Sequence, residues 1–203
     1  MTRPELRTPR LSLRRWRDSD LAPFAAINAD PQVMRWFPAA LDRGESDAMV
    51  ERIEAGHDRL GYGLWAVEVH ESPRGPAPFV GFVGLSVPRF ELPVAHAEPC
   101  VEVGWRLDRA WWGHGIASEA ARECLRFAFE DLGLPEVLSW TVPPNLASQA
   151  VMARIGMRYS GTFLHPLAEP QDWWALHVLY RLGAEELADD GRALSDSSGR
   201  THP

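Results

Sequence analysis

The sequence predicts an α/β (α+β) fold in one domain, and three observations carry that reading. Segments of strand character and segments of helical spacing are interspersed along the chain. The longest helical segment, "GIASEAARECLRFAFEDLG", repeats Ile116, Ala120, Cys124 and Ala128 at every fourth residue, joined by Ala117, Ala121, Leu125 and Leu132. That apolar face is built to lie on a sheet. The run "FVGFVGLSV" has the unbroken apolar character of a buried strand, and its glycines predict close backbone approach or a bulge. A chain of 203 residues, 45% of them hydrophobic, suffices for one sizeable core.

In chain order, "LRTPRLSLRRW" reads as a first strand, with Leu11, Leu13 and Arg15 alternating. Asp18 is the expected N-cap of a helix carrying Leu21, Phe24, Ala25 and Ile27, which Pro31 stops. A second helix runs through "ESDAMVERIEAGHDRLGYG", capped by Ser46 and ended by Gly61 and Gly63. "LWAVEVH" is a strand, "ESPRGPAP" a turn by composition, and "PRFELPVAHAEP" a loop before the strand "CVEVGWRLD". Gly133 ends the long helix and "EVLSWTV" is the next strand. A short helix follows from Leu146 to Ile155, with Gly156 as its C-cap candidate. "RYSGTFL" and "WWALHVLYRL" form the last strand pair. Residues 1–184 thus make the domain, and 185–203, small and polar, are expected to be a disordered tail.

A formal net charge of −7 argues against a general nucleic-acid binder, whose surface is basic. The N-terminal stretch lacks the apolar run of a signal peptide, and no stretch approaches a membrane span. The expectation is a soluble cytoplasmic protein with neither nucleic-acid nor membrane partners. Cys100 and Cys124 give no disulfide framework, and the seven histidines include no His-Glu-x-x-His, so no metal is expected. Gly-x-Ser-x-Gly and Gly-x-x-x-x-Gly-Lys are both missing. Hydrolase and nucleotide-hydrolysis chemistry therefore lack machinery.

The stretch "LDRAWWGHGIASEAARECL" sets Gly113 and Gly115 where a helix is about to begin. A dinucleotide-binding turn fits poorly: residues 108–112 separate the glycines from the strand, and the following strand ends "TVPPN" without the acid that would hold a ribose. A pyrophosphate cradle fits better. Glycines allow the backbone twist and a close approach, while a helix start aims unpaired N–H groups at one point. Backbone donors need no lysines, so an acidic protein can bind an anion in this way.

With "CVEVGWRLDRAWWGHGIASEAARECLRFAFEDLGL" followed by "TVPPNLASQAVMARIGMRYSGTFL", the chain resembles the GCN5-related N-acetyltransferases (GNAT), closest to the RimJ/RimL-like branch that acetylates protein N-terminal amines. The resemblance runs from about Leu6 to Leu182. It implies a mixed, strongly twisted sheet flanked by helices on both faces. It also implies acetyl-CoA as co-substrate, in a V-shaped gap between the strands at 100–107 and 136–142. The implied coenzyme-binding positions are Trp105, Arg106, Leu107, Gly113, His114, Gly115, Ile116, Ala117, Asn145 and Ser148. Ala110 stands where the family usually has a basic or amide residue, so Arg109, Arg122 or His114 are candidates to supply charge instead. Asn145 is implied to bond the pantetheine arm and Ser148 to lie near the sulfur. Many relatives carry a tyrosine acid seven residues after that Asn, where this chain has Met152. The partners implied are acetyl-CoA and an amine acceptor, and a homodimer is compatible.

Transfer from a thioester to an amine needs a base, a polarised carbonyl and a stabilised thiolate. Glu102 is the candidate base, sharing a strand face with Gly104 and Arg106; a salt bridge to Arg106 is the competing reading. Backbone N–H groups near Arg106 and Leu107 are candidates to polarise the carbonyl, and Ser148 is the candidate acid. Cys124 reads as core rather than nucleophile. Trp36 and Phe37 could line the acceptor groove or the core. Trp111-Trp112 and Trp173-Trp174 could be sugar platforms, though packing is the simpler reading. His165 reads as a turn histidine, with acceptor contact the alternative, and His177 as structural. The expected activity is N-acetylation of a primary amine, including a protein N-terminus. The alternatives are a small-molecule amine acetyltransferase and a non-catalytic acyl-CoA-binding module.

Overall fold

In the computed structural model, which describes residues 5–186, the chain begins β1 (Leu6–Arg7), β2 (Leu11–Arg14), α1 (Asp18–Ala29), α2 (Arg43–Leu60) and β3 (Leu64–Val69). It continues β4 (Gly81–Ser86), β5 (Glu102–Leu107), α3 (Ile116–Arg126) and β6 (Glu136–Thr141), and ends α4 (Leu146–Arg154), β7 (Arg158–Leu164) and β8 (Leu176–Gly183). The strands form one mixed sheet, ordered β1-β2-β3-β4-β5-β6-β8-β7. Among the described residues β5 and β6 alone pair in parallel; every other neighbour is antiparallel.

The expected first strand is a hairpin of two. Leu6 pairs with Leu13, and the turn is closed by Thr8 N–H on the Leu11 carbonyl at 3.0 Å. Pro9, which lacks an N–H, sits in that turn. The expected caps differ as well. α1 is preceded by Arg17, whose N–H donates to Asp20 Oδ2 at 2.9 Å. Asp20 is buried, with the Arg14 guanidinium forked across it at 2.7 and 2.9 Å. α2 is capped by Asp42, which accepts from the Glu45 N–H, while the Glu45 carboxylate accepts from the Asp42 N–H. Ser46 is buried instead and accepts a hydrogen bond from Asn28.

Helices cover both faces. On one face Ile116, Ala120, Ala121, Cys124 and Leu125 of α3 pack on Val83, Leu85, Val103 and Leu107, as the fourfold spacing requires. On the other, Phe24 of α1 and Val50 and Ile53 of α2 cover Ala66 and Phe82. Farther along that second face, Phe90, Leu92 and Val94 of the β4–β5 loop cover Leu138, Phe163 and Leu179. The close approach expected of the β4 glycines is present: a Cβ on Gly84 would lie 2.2 Å from the Gly63 carbonyl oxygen. Glu185 and Glu186 belong to a helical turn, and Glu186 pairs with Arg158 at 2.9 Å. The rest of the expected tail, 187–203, lies outside the described residues.

Candidate active site

The parallel neighbours β5 and β6 pair at one position, Glu102 with Leu138. There the Leu138 N–H meets the Val101 carbonyl at 2.9 Å. Both strands then run on without further pairing, so they splay towards their C-terminal ends. A helix starts beyond each of those ends: α3 after residues 108–115, α4 after 142–145. Two helix N-termini at the mouth of a gap between parallel strands give it an anion-attracting rim.

Pairing with β4 decides which amides face the gap. Phe82 is opposite Arg106, and the Asp108 N–H reaches the Val80 carbonyl at 2.9 Å. By alternation the amides of Gly104 and Arg106 bond to β4, while those of Trp105 and Leu107 point into the splay. The Arg106 N–H, expected at the coenzyme, is therefore committed to the sheet. Its side chain is also on the face away from α3, beside Phe82. The Leu107 carbonyl accepts from Trp112 Nε1 at 2.9 Å, which folds that indole back over the strand end.

Gly113 and Gly115 both have φ +77°. A Cβ at Gly113 would meet nothing within 4 Å, so this glycine is needed for its left-handed backbone rather than for space. The helical ladder of α3 opens with Glu119 N–H on the Gly115 carbonyl at 3.0 Å. The amides of Ile116, Ala117 and Ser118 precede that first bond and form the helix's donor end. Arg10 holds this loop from the β1–β2 turn. Its Nη1 donates to the His114 carbonyl at 3.1 Å and its Nε to Glu119 Oε2 at 2.6 Å. Thr8 donates to the other Glu119 oxygen. Burial alone would raise the Glu119 pKa, but the Thr8 and Arg10 hydrogen bonds outweigh it and hold the carboxyl below its usual range. Ala110 contributes no side-chain contact there; its N–H is capped by Asp108 at 2.8 Å. Arg109 leans towards Asp30 at 3.8 Å, and Arg122 donates to the Arg154 carbonyl at 2.6 Å.

Glu102 sits at the vertex of the splay, opposite Ser86 on β4. Burial pushes its carboxyl up to about 8, partly offset by a hydrogen bond with Ser86. The carboxyl leans along the strand: its Oε1 is 3.8 Å from where a Cβ on Gly104 would be. No ion pair joins it to Arg106 among the described residues, which removes the salt-bridge alternative. Phe37 lies over the Arg106 guanidinium at 4.1 Å, on the Glu102 face of the sheet.

Across the splay, Asn145 caps α4 through Oδ1, which accepts from the Ser148 N–H at 3.3 Å. Its Nδ2 donates to Thr141 Oγ1 at 2.9 Å and to Ser148 Oγ at 3.0 Å. Both amide hydrogens are thus spent within the protein. Ser148 Oγ accepts from Asn145, which leaves its own hydroxyl proton to donate elsewhere. Met152 is buried in the core.

The remaining candidates are accounted for by burial and packing. Cys124 is fully buried and burial drives its thiol far up. Cys100 is pushed up to about 11 by burial and then by Glu98, Glu102 and Glu136. His177 is stacked on Phe163, and His165 lies among Phe90, Trp174 and His177. Each tryptophan pair splits into one packed ring and one exposed ring, Trp112 at 46% and Trp173 at 55%, so neither forms a two-ring platform. No helix of the described residues is long and apolar enough to cross a membrane.

Comparison with known proteins agrees with this architecture. Residues 10–158 match the model of the acetyltransferase (GNAT) domain. The FsC-acetyl coenzyme A-N(2)-transacetylase of Aspergillus fumigatus is 33% identical over 71% of this chain, a match that spans 60% of that relative's length. An acetyltransferase structure from Agrobacterium tumefaciens is similar at TM-score 0.67 and 27% identity, covering 90% of this chain and 95% of that one. A GNAT-family acetyltransferase structure from Bacillus anthracis reaches TM-score 0.72 at 22% identity, covering 90% and 99%. On the extent of the family match and the shared sheet, this chain belongs to the GNAT acetyltransferase family.

Proposed function

We propose that the chain is an acetyl-CoA-dependent N-acetyltransferase of the RimJ/RimL-like kind, acting in the cytoplasm on a primary amine by direct attack in a ternary complex. The observation that supports this reading most is the splay of β5 from β6, with backbone donors at its rim and the Glu102 carboxyl at its vertex. Bound acetyl-CoA supplies the activated acetyl group. The amides of residues 113–118 hold its pyrophosphate, and the Trp105 and Leu107 N–H groups polarise the thioester carbonyl. Glu102 takes a proton from the amine as its nitrogen bonds to the carbonyl carbon; a pKa near 8 suits that task. As the carbon–sulfur bond breaks, the electron pair stays on sulfur, the Ser148 hydroxyl stabilises the leaving thiolate by a hydrogen bond, and the proton on Glu102 passes to solvent. Asn145 acts by fixing α4 and the Ser148 hydroxyl. The name of the Aspergillus relative, a transacetylase at N(2), supports transfer to nitrogen.

The test is release of free coenzyme A thiol from acetyl-CoA across N-terminal peptides and small amines. Turnover that Glu102→Gln slows is expected. Tight acetyl-CoA binding with no thiol released from any amine would instead make the chain a non-catalytic acyl-CoA binder.

A further inference from the structure

We infer that Arg106 is an anion-binding subsite that takes a carboxylate carried by the acceptor amine. The inference rests on the proposed function and names the acceptor's chemistry. Arg106 is 8% exposed, and among the described residues it has no carboxylate partner. Arg14, similarly buried, has two, Asp20 and Glu68. A buried cation without a counter-charge is costly, so such groups are normally paired.

The unused edge of the guanidinium is the one that matters. Nη1 donates to Asn28 Oδ1 at 2.6 Å, and Asn28 is itself fixed by Ser46 at 2.9 Å. Phe37 and Phe82 flank the group at 4.1 and 5.6 Å to their ring centroids. Nε is buried and has no hydrogen-bond partner. The Nε–Nη2 edge is the fork that receives both oxygens of a carboxylate. Burial lowers the pKa to about 10, which still leaves the group charged at neutral pH.

Placement relative to Glu102 fixes what arrives with that carboxylate. Glu102, Gly104 and Arg106 share one face of β5, and Gly104 leaves a bare floor between the acid and the cation. The four residues from Glu102 to Arg106 span roughly 13 Å of strand. The Glu102 carboxyl leans as far as Gly104, however, which leaves the two residues on to Arg106, roughly 7 Å. An acceptor lying there carries its amine and its carboxylate about that far apart or closer. A free amino acid and an acidic N-terminal residue of a peptide both meet that condition.

The experiment compares β-alanine and 4-aminobutyrate with their carboxamides, and peptide amides beginning Asp or Glu with those beginning Asn or Gln. Two quantities are read: kcat/KM for thiol release, and calorimetric Kd on protein saturated with coenzyme A. Wild type is expected to favour acid over amide by at least about tenfold in one arm, and the arm identifies the source. Arg106→Gln, neutral and without the fork, should reduce that ratio to within about twofold. Arg106→Lys, charged but without the fork, should fall between. Each ratio is internal to one protein, so a general loss of activity does not affect it. Equal treatment of acids and amides by wild type overturns the inference, as does a preference that survives both substitutions. If no amine releases thiol the proposed function fails, while the calorimetric ratio still decides the subsite.

Discussion

Arg10 and Glu119, 109 residues apart in sequence, are joined by a 2.6 Å hydrogen bond from Nε to Oε2. The same guanidinium holds the His114 carbonyl, so the β1–β2 turn sets the conformation of the glycine loop. Removing the clamp should loosen the donor groups at the start of α3. Arg10→Ala or Glu119→Gln should weaken acetyl-CoA about tenfold, roughly 1.4 kcal/mol, in a calorimetric titration. Unchanged affinity in a folded variant would assign the pair to packing alone.

The proposed role of the Glu102 carboxyl ties rate to pH. As a base it must be ionised, so kcat/KM should climb with pH and level off above about 8. Glu102→Gln should lower kcat/KM by about a hundredfold and abolish that limb. Stability moves the opposite way. A carboxyl whose pKa is raised by folding costs the native state stability as pH rises from the ordinary glutamate range towards 8. The melting temperature of Glu102→Gln relative to wild type should therefore increase across that window. A difference independent of pH would contradict the burial of this carboxyl.

Asn145 and Ser148 separate by substitution. Asn145→Ala removes the acceptor for the Ser148 N–H and should cost about 1 kcal/mol of stability, whereas Asn145→Asp keeps it. Ser148→Ala spares the backbone cap and should lower kcat about tenfold, read as thiol release at saturating acetyl-CoA. Unchanged kcat in Ser148→Ala would show that the thiolate leaves without that hydrogen bond.

His177 should make the protein acid-sensitive. Burial lowers its pKa from 6.5 to about 4; the Ala175 carbonyl offsets this in part, and His165 adds to it. The folded state resists protonation that the unfolded state accepts, so stability falls as pH drops from 6.5 towards 4. The loss is about 3.5 kcal/mol at most, from about 1.4 kcal/mol per pKa unit. His177→Phe should flatten this part of a melting-temperature profile, and an unchanged slope would assign the acid sensitivity to other groups.

What could be read from the sequence is what depends on local pattern. The α3 stripe, the β4 and β5 strands, the Gly113–Gly115 turn and the Asn145–Ser148 helix start each follow from spacing within a few residues. The hairpin at Pro9 was concealed because two short strands share one alternating pattern. Asp42 and Asp20, which serve the two helix starts, lie four and two residues from the expected Ser46 and Asp18, since burial of Ser46 and pairing of Asp20 are tertiary facts. The direction of Arg106 was equally hidden: alternation says that it shares a face with Glu102, and only packing says which face. The Arg10–Thr8–Glu119 clamp joins distant segments, and no local signal carries it.

Amide hydrogen exchange with and without acetyl-CoA tests the coenzyme gap most directly. Added acetyl-CoA should slow exchange at Trp105, Leu107 and residues 113–118, and at the start of α4. Protection gathered elsewhere, with those amides exchanging at their ligand-free rates, would contradict the placement of the coenzyme between β5 and β6.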